Sequence, residues 1–195
     1  MRTTHFGIDE AERRRRIAMN RLTPQDFENA KALKPVLEPH METIVDAFYG
    51  HIGQFPEALQ IVTAAGATID NLKKTNPRYM AQIFRGTFDL EYIESRLLIG
   101  DIHARIGLEP KWFYMAMSTY YDVAIPIIVK AFKFNPSRMA SMLMTFNKVF
   151  NFDQELIMEA YIEYGFISNL RTVVDETKRA TAALSESSRQ LRDCA

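Results

Sequence analysis

Apolar positions recur at intervals of three and four through nearly the whole chain, the spacing of one face of an α-helix. Met41, Ile44, Val45 and Phe48 share a side of one segment, and Thr68, Leu72, Thr75 and Tyr79 share a side of another. No run alternates polar and apolar residues between turn signals, so no strands are expected. Thr23-Pro24-Gln25-Asp26 reads as a helix start, with a capping hydroxyl, proline in the first turn and an acid near the positive end. That helix should run to about Leu37, and Pro39 opens the next. Phe55-Pro56 begins a shorter piece ending near Val62. Gly66 precedes the Thr68 segment, which Asn76-Pro77 should kink or interrupt because proline has no N–H to give the preceding turn. Further helices are predicted from about Glu91 to Ile106, closed by a left-handed Gly107, and from Pro110 to about Phe132.

Asn135-Pro136-Ser137 opens a last helix that continues well beyond ordinary globular length. From Ile167 onward its apolar or small positions fall at Leu170, Val174, Thr177, Thr181, Leu184, Ser188 and Leu191. Alternating steps of four and three form the seam of a two-stranded coiled coil. Serine and threonine in that seam make it a weak coil, suited to shifting or twisting, and an amphipathic tail is the plainer alternative. The pattern is still running at the last residue, so a further segment is expected downstream. The elements amount to an all-α protein, with bundle, globin-like and solenoid arrangements open on this evidence alone.

Composition narrows the picture only modestly. A chain of 195 residues with 47% hydrophobic content can build one core of ordinary size. Twenty-four basic and 24 acidic side chains cancel, so nucleic acid and anionic lipid are not expected partners. Arg13 to Arg16 form a short basic run preceded by Asp9, Glu10 and Glu12, and read as a solvated helical face. The single cysteine, Cys194, permits no disulfide within the chain and fits a reducing cytoplasm. No signal peptide is visible, and the longest apolar run, Val123 to Val129, is far short of the roughly 20 residues that span a bilayer.

The stretch most suggestive of chemistry is Ile99-Gly100-Asp101-Ile102-His103-Ala104-Arg105-Ile106-Gly107, followed by Trp112. It sets one of only four histidines in an apolar wall, between glycines that would let a flat ligand approach the backbone. Such a setting suits one-sided coordination of a haem iron, although a lone histidine in an apolar stripe is more often a hydrogen-bonded core residue. No cysteine–histidine cluster has zinc spacing, and no G-x-G-x-x-G phosphate loop is present. The ten methionines read as core or interface filler rather than axial ligands.

Taken in order, Phe48-Tyr49, Leu72-Lys73-Lys74-Thr75, Arg96 to Gly107 with His103, and Trp112 resemble the globin-coupled sensors. That family includes haem-based aerotaxis transducers and globin-containing diguanylate cyclases and histidine kinases, and the likeness runs from about Leu22 to Tyr164. The resemblance implies a globin-like fold with an extra N-terminal helix and a C-terminal helical stalk. It divides the chain into a pre-globin extension (1–21), a sensor globin domain (22–166) and the start of a coiled-coil linker (167–195). It implies haem b as cofactor, His103 as the proximal iron ligand, and Phe48, Leu72, Ile99, Ile106 and Trp112 as haem contacts. Tyr49 maps onto the distal tyrosine, with Thr75 beside it. The aerotaxis transducers carry a tyrosine thought to touch the proximal histidine where this chain has Phe113, which leaves any coupling through that hydroxyl without support.

Rotation along a helix limits rival ligands. His51 lies about 200° from Tyr49 and His40 about half a turn off its face, so neither can share its direction. His5, in the extension, is expected to be free. The implied function is sensing of O2, with CO and NO as further ligands, in a cytoplasmic homodimer formed through the last two globin helices. The output would be a diguanylate cyclase, chemotaxis or kinase domain, the cyclase being slightly favoured by its frequency in the family. Two other classes stay in view: a haem enzyme such as a nitric oxide dioxygenase, and a haem-free interaction module of globin shape.

Overall fold

A computed structural model describes residues 1–193, so Cys194 lies outside the described residues, as do the side chains of Ser188 and Leu191. Among the described residues the chain is helical throughout: α1 (Arg2–His5), α2 (Glu10–Met19), α3 (Pro24–Leu37), a 3₁₀ turn (Glu38–His40), α4 (Met41–Ile52), α5 (Pro56–Ala64), α6 (Ile69–Ile83), α7 (Leu90–Arg105), α8 (Pro110–Phe132), α9 (Pro136–Tyr161), a π-helical turn (Ile162–Ile167) and α10 (Ser168–Asp193). None of these helices is long and apolar enough to cross a membrane.

The helix starts follow from local chemistry. Thr23 caps α3 through a full capping box, in which its hydroxyl accepts from the Asp26 N–H and the Asp26 carboxylate accepts from the Thr23 N–H. Thr68, Asp89 and Asn135 cap α6, α7 and α9 in the same way, each accepting from the N–H three residues on. Gly107, at φ +70°, closes α7: its own N–H bonds the Ala104 carbonyl at 3.1 Å, and the next N–H, of Leu108, reaches back to the His103 carbonyl at 3.1 Å. That pair of bonds is a Schellman closure, and it anchors the backbone of His103 itself. The expected break at Asn76-Pro77 does not occur, because α6 continues through Pro77 to Ile83. One lost backbone bond is tolerable where Met80 and Ile83 are fully buried just beyond it.

The core gathers α3, α7, α8 and α9 around Leu33, Leu37, Phe84, Phe146 and Phe150, all essentially inaccessible. The closest crossing brings α7 onto α9. A Cβ at Gly100 would stand 2.2 Å from the Ile157 carbonyl oxygen and 2.7 Å from the Ala160 Cβ. Gly100 therefore serves helix–helix approach rather than the close approach of a ligand expected for it. Beside it, Arg96 and Asp153 form an ion pair at 2.5 Å with both side chains wholly buried. Tyr92 and Tyr79 also donate to that carboxylate. A buried pair is weak evidence for stability, yet removing one partner strands a charge, which typically costs about 3–5 kcal/mol.

The extension is docked rather than loose. Arg16, read as part of a solvated face, is only 9% exposed and grips Glu12 on its own helix and Glu159 on α9. Thr3 and Arg2 give their backbone N–H groups to Glu94 of α7, each at 2.8 Å. His5, expected to be free, stacks on Tyr164 and places Nε2 at 3.3 Å from Glu163. Glu163 also accepts from Arg171 of α10 at 2.9 Å. The continuous final helix anticipated from the periodicity is thus interrupted by a π turn, which carries Glu163, Tyr164 and Gly165. Along α10, Leu170, Val174 and Leu184 are exposed on this single chain, while Thr177 and Thr181 bond back to their own helix.

Asp26 ties α3 to α9 as well as capping α3. Burial alone would raise its pKa, but hydrogen bonds from Thr145, Lys148 and Thr23 outweigh it and hold the carboxyl at about 2. A depressed carboxyl contributes stability that is complete above its ordinary value and is lost as pH falls. Asp26→Asn should cost about 2 kcal/mol in urea unfolding at pH 7, with the difference from wild type shrinking as pH drops from about 4 towards 2. Gly100→Ala should lower stability by about 1–3 kcal/mol in the same assay, because the overlap with a backbone carbonyl exceeds the roughly 1 kcal/mol of helix propensity gained.

Candidate functional site

A largely apolar cavity of about 470 Å³ lies between α4, α5, α6, α7 and α8. Its size is within the range of about 300–1,000 Å³ usual for cofactor and small-molecule sites. All eight residues singled out from the sequence line it. Phe48 and Tyr49 enter from α4, Leu72 and Thr75 from α6, Ile99 and His103 from α7, Ile106 from the end of α7, and Trp112 from the start of α8. Neither His40 nor His51 lines the cavity. His51 instead meets the Phe55 ring edge-on at 5.4 Å, as the rotation around α4 requires.

His103 is flanked by two aromatic rings. Its ring lies 6.0 Å from that of Tyr161 and nearly parallel to it, at 11°. The Phe113 ring is also 6.0 Å away, at 58°. Tyr161, from α9, is fixed in turn by the hydrogen bond its hydroxyl donates to the Leu108 carbonyl. Burial pushes the His103 pKa down to about 4, opposed in part by the Ile99 carbonyl one turn earlier. The imidazole is therefore neutral at ordinary pH. Its Nδ1 is buried and makes no well-aligned hydrogen bond among the described residues, and the ring lines the cavity.

Elsewhere on the cavity lining the polar groups are few and linked. Tyr49 is 8% exposed, and its hydroxyl oxygen accepts from Asn76 Nδ2 at 3.3 Å. Asn76 Oδ1 accepts from the Tyr120 hydroxyl at 2.9 Å. Burial raises the Tyr49 phenol above its ordinary pKa, against the opposing hydrogen bond from Asn76. Thr75 spends its hydroxyl proton on its own helix, donating to the Leu72 carbonyl at 3.1 Å. Tyr79 also lines the cavity but gives its proton to Asp153.

Sequence reading missed Asn76, Tyr120 and Tyr161. Asn76 stood out only as the residue before Pro77. Nothing in the linear pattern marks Tyr120, or brings Tyr161, on another helix, against His103. Met115 and Met117 line the cavity too, from α8, while Met142 is core and Met144 is exposed.

This helical arrangement, with a buried imidazole and a buried phenol lining one apolar cavity, is that of a globin. The fold agrees with that of the globin domain of a Geobacter sulfurreducens globin-coupled sensor, with a TM-score of 0.71 over 76% of this chain and 96% of that one, at 24% identity. Residues 9–166 match the Protoglobin family, and the chain belongs to it. It is also 25% identical over 188 residues to the heme-based aerotactic transducer HemAT of Halobacterium salinarum. That alignment takes in 92% of this chain but only 38% of the transducer, so the chain spans well under half the length of that relative.

Proposed function

We propose that this chain is the haem-binding, gas-sensing part of a larger signalling protein, with O2 as its principal ligand. The observation that carries this reading is the placement of His103: a neutral imidazole, its Nδ1 buried, lining an apolar cavity of cofactor size. One imidazole is a single ligand, too few to hold a free metal ion, so iron at this position comes with ligands of its own, as in a porphyrin. No cluster of three or more metal-ligating side chains is present among the described residues.

His103 would supply a ligand nitrogen to haem b, with Phe48, Leu72, Ile99, Ile106 and Trp112 as its apolar walls. Haem, when bound, would supply an iron that takes up a diatomic gas reversibly. Tyr161 and Phe113 keep the imidazole plane from turning, since both rings pack on it. Tyr49 accepts from Asn76 and so retains its own proton for a guest in the cavity. A donor of this kind favours a polarised guest such as O2 over the less polar CO, by about 1.5–3 kcal/mol for a charge-assisted bond. Thr75, its proton spent on Leu72, can act only as an acceptor or a spacer.

The proposal divides the chain into extension (1–21), sensor globin (22–166) and linker (167–195), working in the cytoplasm. Exposed Ile125 and Val129 on α8 and Met144 on α9 support association of two copies through these helices. A diguanylate cyclase, chemotaxis or kinase output would follow α10.

Titration of the haem-free protein with haemin should quench the fluorescence of Trp112, the chain's only tryptophan, to saturation at one equivalent, with growth of a Soret band. His103→Ala should abolish the five-coordinate ferrous spectrum; an unaltered spectrum would exclude His103 as the ligand. Tyr49→Phe should speed O2 release by about tenfold or more and leave CO release nearly unchanged.

A further inference from the structure

We propose that Asn76 is a positioning residue that decides which way the Tyr49 phenol donates, and that Tyr120 fixes the orientation of its amide. The inference rests on the reading of Tyr49 as the donor to bound gas.

The Tyr120 ring has little freedom. It is 1% exposed and stacked on Phe48 at 4.6 Å and 23°. Among the described residues its hydroxyl has a single partner, Asn76 Oδ1, to which it donates at 2.9 Å. That bond presents the opposite end of the amide, Nδ2, to the Tyr49 oxygen at 3.3 Å. A hydroxyl has one proton and two lone pairs. Tyr49, having accepted from Asn76, keeps its proton free for the cavity it lines.

Turning the amide by half a revolution would invert this. Oδ1 would then capture the Tyr49 proton, and Nδ2 would donate to the Tyr120 oxygen. The Tyr120 proton would be left buried without an acceptor, which is the costly side of hydrogen-bond exchange. The orphaned proton is the bias: Tyr120 keeps the amide oxygen for itself, and Tyr49 remains a donor to the cavity. Selectivity for a polar diatomic ligand thus depends on a hydroxyl whose own proton is committed to Asn76.

Three variants test this on the haem-loaded protein, read against Tyr49→Phe. Tyr120→Phe keeps the ring and removes the bias; it should speed O2 release by about fivefold, with CO release changing less than about twofold. Asn76→Asp offers only acceptors and should release O2 as fast as Tyr49→Phe, while the C–O stretching band of the CO complex moves to the same position in both. In a Tyr49→Phe background neither change should have a further effect. Asn76→Leu removes the amide without capturing the phenol proton, and should fall between wild type and Asn76→Asp.

Wild-type O2 release and C–O frequency in Tyr120→Phe and Asn76→Asp, with Tyr49→Phe fast, would overturn the assignment of Asn76 while keeping that of Tyr49. O2 and CO rates rising together would overturn it as well, by showing a loosened pocket instead of a lost donor. If Asn76→Asp does not retain haem, Tyr120→Phe alone decides. No effect of Tyr49→Phe itself would remove the donor role on which the inference rests.

Discussion

The approach of α7 to α9 is the constraint on which the site depends. Gly100 has no room for a side chain, since a Cβ there would meet the Ile157 carbonyl oxygen at 2.2 Å. One turn earlier on α7, Arg96 reaches Asp153 of α9 in a pocket sealed from solvent. Three residues after Gly100 comes His103, whose ring lies parallel to that of Tyr161, also from α9. Three successive contacts on one helix face thus set the depth, rotation and plane of the imidazole. The Schellman closure at Gly107 adds a fourth restraint by engaging the His103 carbonyl itself. Preorganisation of this kind matters because a side chain held by packed neighbours loses little freedom when it binds a guest.

The cavity owes its chemistry to scarcity. Its walls are mostly apolar, and its polar groups are nearly all committed: Tyr79 to Asp153, Thr75 to Leu72, Tyr120 to Asn76. In a low-dielectric space an uncommitted donor or neutral lone pair interacts strongly with whatever enters. The His103 imidazole and the Tyr49 hydroxyl proton stand outside these commitments, one carried by α7 and the other by α4. They are the groups on which the proposed haem-binding and gas-binding roles rest.

The outer side of α7 connects the site to the rest of the molecule. Glu94 receives the N–H groups of Arg2 and Thr3, and Asp101 receives the guanidinium groups of Arg2 and Arg105. His5 at the end of α1 and the following Phe6 pack on Tyr164 of the π turn, and Glu163 of that turn holds Arg171 at the base of α10. The histidine-bearing helix, the extension and the stalk are therefore contiguous through charged and aromatic contacts. A π turn is a wider, less regular hydrogen-bonding arrangement, often found at functional positions. Here it separates the globin core from the long exposed helix.

Much of this was legible in the chain alone, wherever the cause is local. Capping hydroxyls, prolines in first turns and a left-handed glycine act within a few residues, so the starts of α3 and α6 and the end of α7 follow from spacing. Rotation along one helix was enough to set His40 and His51 aside, and apolar periodicity found the face that carries His103. What tertiary structure alone decided is which faces meet. Gly100 looked like room for a ligand and proved to be room for α9. Arg16 looked solvated and is clamped by a glutamate 143 residues away. Asn76 showed only as a neighbour of proline, because its partners Tyr49 and Tyr120 lie 27 and 44 residues distant. Periodicity specifies that a face will be buried but carries no information about the opposing surface, since that choice is settled by packing among all the helices at once.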